Sequence, residues 1–187
     1  LKAMEYLEQD EETGKYRLGI QIFNLSKALG DTYSITKIAG PYMQELSNYT
    51  GERCYLAVPY RQEVLYLDAM YPADSIELMR SILGERAQMH CTGLGKAMLA
   101  NMGEREISDY LEHHKLEAFT ENSIIDKKQF REELLRTKQR GYALDDMEHE
   151  FGIKCIAMPV FDRTKNVYAA ISISGMANHF TDANIAE

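Results

Sequence analysis

The chain has 187 residues, room for one full-sized domain and a smaller piece, with 45% apolar residues to build a core and 27% charged residues to cover it. Its net charge of -8, from 29 acidic against 21 basic residues, comes without a basic cluster: the densest run, KKQFREELLRTKQR at 127–140, is interrupted by acids, so this chain alone makes a poor nucleic-acid binder. Cys54, Cys91 and Cys155 are far apart and lack CxxC spacing, no apolar run approaches the ~18 residues of a membrane span, and the acidic opening LKAMEYLEQDEE excludes a signal peptide, so the expected setting is the reducing cytoplasm without membrane contact.

Both ends read as cut: Leu1 to Met4 as the last turn of a helix, and Thr181 or Asp182 as the cap of a helix that does not develop. Residues 6–18 predict a hairpin around EETG, with Gly14 supplying the positive φ of the turn. Leu18, Ile22, Leu25 and Leu29 then mark a helical stripe that Gly30 stops. A second helix follows, capped by Ser34, with Ile35, Ile38, Tyr42, Leu46 and Tyr49 on one face, a kink at Pro41 and an end at Gly51.

Residues 53–58 and 63–70 alternate as paired strands turned around Pro59 to Gln62. Short helices are expected over 94–102 and 107–114. A further helix has Asp126 and Gln129 as a capping pair, Phe130 and Leu134 on its apolar face, and Gly141 at its end. Residues 153–160 and 167–174 form a closing strand pair turned at 162–166. Hairpins at both ends of a helical middle predict an α+β fold with an antiparallel sheet.

Three stretches carry possible chemistry. Gly93-Leu94-Gly95-Lys96 opens an apolar helix whose N–H groups suit a carboxylate or phosphate; it is no Walker loop, since Ala97 follows Lys96. The alternative is that the glycines serve close packing. In the last strand Ser172 and Ser174 share a face with Tyr168 and Ala170, and Ile153, Cys155 and Ala157 share one in the strand before. Small polar residues there fit either a cavity or solvent. Asp145, Asp146, Glu148 and His149 form a cluster of a kind usually solvated, with spacing that matches no familiar zinc or calcium site, so neither metal nor cofactor is expected. Cys91 beside His90 invites a thiol-enzyme reading, but adjacent residues on an extended segment point apart, and neither a nucleophile elbow nor HExxH is present.

Taken in order, Tyr6-Leu7 with TGKYRLG (13–19), TGE (50–52), HCTGLGKAMLA (90–100), FTENSI (119–124), RGYALDDMEHEFGIKCIAMPVFD (140–162) and AAISISG (169–175) resemble the IclR family of bacterial transcription regulators. The resemblance implies a GAF-like effector domain at 31–187, a linker helix at 20–30, and at 1–19 the end of a winged helix-turn-helix, its recognition helix largely absent. It further implies an effector pocket lined by Ile76, Met79, Gly93, Leu94, Asp145, Ile153, Cys155, Ser172 and Ser174, where Leu94 is larger than the small residue some members carry. The implied function is allosteric: a small organic acid changes a homodimer or homotetramer and so controls operator binding by the full-length protein. The competing functions are an enzyme using Cys91 or Cys155, and a dimerisation module that binds no ligand.

Overall fold

The computed structural model describes residues 1–32, 35–74, 82–181 and 184–185, without the side chains of 29–32. The chain divides into two units, Leu1–Ile38 and Ala39–Glu187. In the first, a single 3-10 turn (Lys2–Met4) precedes antiparallel strands β1 (Leu7–Gln9) and β2 (Tyr16–Leu18), with Leu7 opposite Leu18. The turn between them is tied by Asp10, whose Oδ1 accepts the Thr13 N–H at 2.7 Å, and by Gly14 at φ 68°. Helix α1 (Ile22–Thr32) runs through Gly30 rather than stopping there, and Leu18 belongs to β2. The expected stripe therefore began one element early, since an interior glycine costs a helix only about 1 kcal/mol.

Helix α2 (Ile35–Thr50) is continuous through Pro41; the expected cap Ser34 lies outside the described residues. The apolar face marked by the sequence is not the one that is buried. Ile38, Tyr42, Leu46 and Tyr49 are exposed, while Ala39, Gly40, Met43 and Ser47 are buried. On the buried face Ser47 Oγ donates to the Glu52 carbonyl at 2.6 Å, a Cβ on Gly40 would sit 3.5 Å from Met70, and Met43 is the one large side chain.

The second unit is built on a six-stranded antiparallel sheet in the order β5-β4-β3-β8-β7-β6. Strands β3 (Arg53–Tyr60) and β4 (Glu63–Met70) turn through Arg61 and Gln62, both at positive φ as a two-residue hairpin requires. Strands β7 (Ile153–Phe161) and β8 (Val167–Met176) form the other hairpin. In its turn Asp162 Oδ1 accepts N–H groups of Thr164 and Asn166 at 2.8 and 2.9 Å, and the ladder shifts between Val160 and Phe161. The short strands β5 (Arg86–Gln88) and β6 (Ala143–Asp146) complete the sheet edges.

Helix α3 (Gly93–Leu99) is buried along its whole length against the sheet. Alanines on the strands (Ala57, Ala143, Ala157 and Ala170) give it room, and α4 (Glu104–His113) and α5 (Lys127–Arg140) close the core with Ile107, Tyr110, Leu111, Phe130 and Leu134. A Cβ on Gly95 would collide with the Met89 backbone, so this glycine serves close packing. The α5 boundaries follow the sequence signals: Asp126 Oδ1 accepts the Gln129 N–H at 2.8 Å, and Gly141 ends the helix at φ 86°.

Candidate functional site

The strand register lines up side chains in rows across the sheet, because residues directly opposite in an antiparallel ladder share a face. One row runs Arg53–Ser174–Cys155–Asp145 over β3, β8, β7 and β6. The next runs Tyr55–Ser172–Ala157–Ala143. The start of α3 lies over these rows: a Cβ on Gly93 would be 3.4 Å from the Cβ atoms of Cys155 and Ala157. Beside that contact the helix and sheet leave a cavity of about 480 Å³.

Gly93, Leu94, Asp145, Ile153, Cys155, Ser172 and Ser174 all line this one cavity. Ile76 and Met79 lie outside the described residues. Arg53, Tyr55, Tyr66, Thr92 and His149 line it as well. Sequence reasoning weighed His149 only within the acidic cluster and did not assign the others, since for Arg53 and Tyr55 the only signal is register against Ser174 and Ser172, which one strand alone does not reveal.

Ser172 and Ser174 are 3% and 7% exposed, so the solvent alternative for them is wrong; β8 is a central strand covered by α3. The Cys155 thiol donates to Ser174 Oγ at 2.9 Å. At the helix start, Thr92 Oγ1 accepts the Gly95 N–H at 3.2 Å and the Thr92 carbonyl accepts the Lys96 N–H. The Gly93 and Leu94 N–H groups therefore stand ahead of the helical ladder, at the cavity wall.

The acidic cluster at 145–149 is not the solvated group its composition suggests: Asp145 and Glu148 are buried. Asp145 Oδ1 accepts the Glu148 N–H at 2.8 Å. Burial pushes the Asp145 carboxyl up to about 7, with the Glu148 N–H pulling the other way. Glu148 is held by Lys96, which is fully buried and reaches Glu133 on α5 at 3.8 Å. Lys96 is thus engaged in a structural ion network that Arg136 and Arg140 continue from Glu133. Among the described residues no group of three or more His, Cys, Asp or Glu side chains is arranged to hold a metal ion.

His90 and Cys91 do point apart. The His90 ring meets the Glu117 carbonyl and the Tyr110 hydroxyl, whereas Cys91 Sγ lies 3.6 Å from His149 Nδ1. Burial pushes the Cys91 thiol up to about 12 and the His149 ring below its ordinary value, so the pair rests as thiol and neutral imidazole rather than as an activated nucleophile. Burial also raises the Cys155 thiol.

A model of the bacterial transcriptional regulator IclR C-terminal domain matches residues 27–187. The chain belongs to the IclR family. Its relatives include the HTH-type transcriptional regulator XynR of Escherichia coli K12, 31% identical over 186 residues covering 100% of this chain and 73% of XynR. The repressor AllR of the same organism is 30% identical, covering 97% of this chain and 67% of AllR. Among solved structures, Thermotoga maritima IclR superposes with a TM-score of 0.85 at 30% identity, covering 100% of this chain and 74% of that one. The C-terminal domain of E. coli KdgR superposes at 0.71 and 29% identity, over 81% and 87% of the two chains. These IclR relatives are transcriptional regulators, not enzymes, and the α+β fold with its curled antiparallel sheet is that of the GAF-like IclR effector domain. The chain carries the effector-binding domain of an IclR-family regulator. Among the described residues no helix is long and apolar enough to cross a membrane.

Proposed function

We propose that the cavity between α3 and the sheet binds a small organic acid, and that binding shifts the arrangement of a homodimer or homotetramer to control operator DNA in the cytoplasm. One observation carries the ligand site: the buried hydroxyls of Ser172 and Ser174, the leading N–H groups of α3 and the Asp145 carboxyl converge on a single 480 Å³ space. That size suits a small metabolite. The acid's carboxylate accepts from Ser172 and Ser174 and from the Gly93 and Leu94 N–H groups. Asp145 accepts from a ligand hydroxyl, which favours a hydroxy or sugar acid.

Control of DNA binding then requires only that the ligand bind one oligomer arrangement better than another. In this reading the β1–β2 hairpin is the wing of a DNA-binding head and α1 belongs to the linker. The test is a melting-shift screen of organic acids followed by calorimetry on the Ser172→Ala, Ser174→Ala double variant. Each lost hydrogen bond to a charged group is worth about 1.5–3 kcal/mol, so affinity falls at least tenfold while the fold remains. Unchanged affinity sinks the site assignment, and the absence of any acid-induced shift favours a dimerisation module without a ligand.

A further inference from the structure

The row across the sheet is polarised. It starts with a cation, Arg53 on central strand β3, passes through the hydroxyl of Ser174 and the thiol of Cys155, and ends with the carboxyl of Asp145 on edge strand β6. Three strand spacings of about 4.8 Å separate the two charged ends by roughly 14 Å of backbone, and both ends line the same cavity. The other cation on the lining, Arg86, sits on edge strand β5 with half its side chain exposed and its guanidinium on Glu63 at 3.0 Å, which places it at the rim. Arg53 stands directly opposite Ser174, and its side chain donates to the hydroxyl of Tyr55, its companion on the same face of β3.

Hydroxyls and amides prefer a carboxylate to a neutral carbonyl only through the greater strength of each hydrogen bond. A guanidinium beside them adds a net charge that only an anion matches, and its fork fits two carboxylate oxygens. We infer that Arg53 is the charge-selecting residue of this pocket: it pairs with the carboxylate held at Ser174 and turns the ligand so that its hydroxyl-bearing end faces Asp145. This rests on the proposed acid-binding site and adds to it both an orientation and a reason why acids are chosen over their neutral analogues. An acid turned the other way would set its carboxylate against Asp145, where like charge opposes it.

The experiment is calorimetric titration of the full chain with lactate, glycerate and gluconate and with the amide of each. The wild-type protein prefers at least one acid over its amide by tenfold or more. In Arg53→Gln the acid weakens at least tenfold, the amide is unchanged and the preference falls by the same factor; Arg53→Lys, which keeps the charge but not the fork, lies between. An acid-over-amide preference as large in Arg53→Gln as in wild type overturns the assignment of Arg53 while leaving the pocket standing. Wild-type protein that binds none of the acids overturns the pocket, and the role of Arg53 with it. Should Arg53→Gln not fold, the side-chain Nε–H resonance of Arg53 in wild-type protein decides: it shifts with the acid and not with the amide, and a resonance indifferent to both refutes the pairing.

Discussion

Replacing Lys96 by Met tests whether the ion network beneath the cavity is structural. Lys96 is fully buried and its ammonium holds Glu148, a residue 4% exposed whose Oε2 has no partner among the described residues. Removing the cation leaves Glu133 its arginines but leaves the Glu148 carboxylate buried without a counter-charge. Breaking a buried pair in this way costs about 3–5 kcal/mol, which for a chain of this size lowers Tm by roughly 6–20 °C. Burial already raises Glu148 above its ordinary value with Lys96 opposing, so losing Lys96 raises it further. A carboxylate raised in the folded state destabilises above its unfolded pKa, and the penalty shrinks as protonation sets in on acidification. The deficit of Lys96→Met, measured by urea unfolding, is therefore largest at pH 8 and smaller at pH 5. Adding Glu148→Met removes the orphan and returns stability to within about 1 kcal/mol of wild type. A single variant as stable as wild type at pH 8, or a deficit that ignores pH, refutes the argument.

Asp145→Asn retains an oxygen to accept the Glu148 N–H but removes a carboxyl that burial lifts from 3.8 to about 7. Wild-type stability from this group is greatest below pH 4 and declines by about 1.4 kcal/mol per unit toward pH 7, so the unliganded variant melts higher than wild type at pH 8 and no higher at pH 4; equal melting at both sinks the burial account. In ligand binding the same variant weakens hydroxy acids by about 1–2 kcal/mol and leaves acids without a hydroxyl as tight or tighter, read by calorimetry at pH 8. The thiols of Cys54 and Cys91, raised by burial to about 12, react with iodoacetamide at pH 8 at least a hundredfold more slowly in folded than in urea-unfolded protein; comparable rates would revive a nucleophilic role for Cys91.

What the sequence disclosed was local. The caps of α5 at Asp126 and Gly141 are side-chain and backbone signals a few residues long, and the two hairpins announce themselves by alternation around their turns. The face of α2 was misread for the same reason: periodicity counts apolar residues, whereas the buried face is Ala39, Gly40 and Ser47 with Met43 as its one large side chain. Strands β5 and β6 are three and four residues long, too short to set a period. The burial of Ser172 and Ser174 depended on whether α3 covers β8, and that of Glu148 on a lysine 52 positions earlier. Resemblance to a family supplied the pocket residues that periodicity left undecided, but not Arg53, which only the register brings beside Ser174.

The hairpin turn at 162–166 has a bearing on a site it never touches. Along β8 hydroxyls alternate with Ile171 and Ile173, so the residue count between the two ladders fixes the parity of the strand. The extra residue absorbed where the ladder shifts at Val160 and Phe161 is already part of that count. Inserting or deleting one residue there, unless a second irregularity absorbs it, would present isoleucines to the cavity and serines to the opposite face. The chemistry offered to a ligand is in this sense written as an odd or even number at the distant end of a hairpin. Substitutions in the rows can retune that chemistry one side chain at a time, whereas a change in turn length would exchange it wholesale.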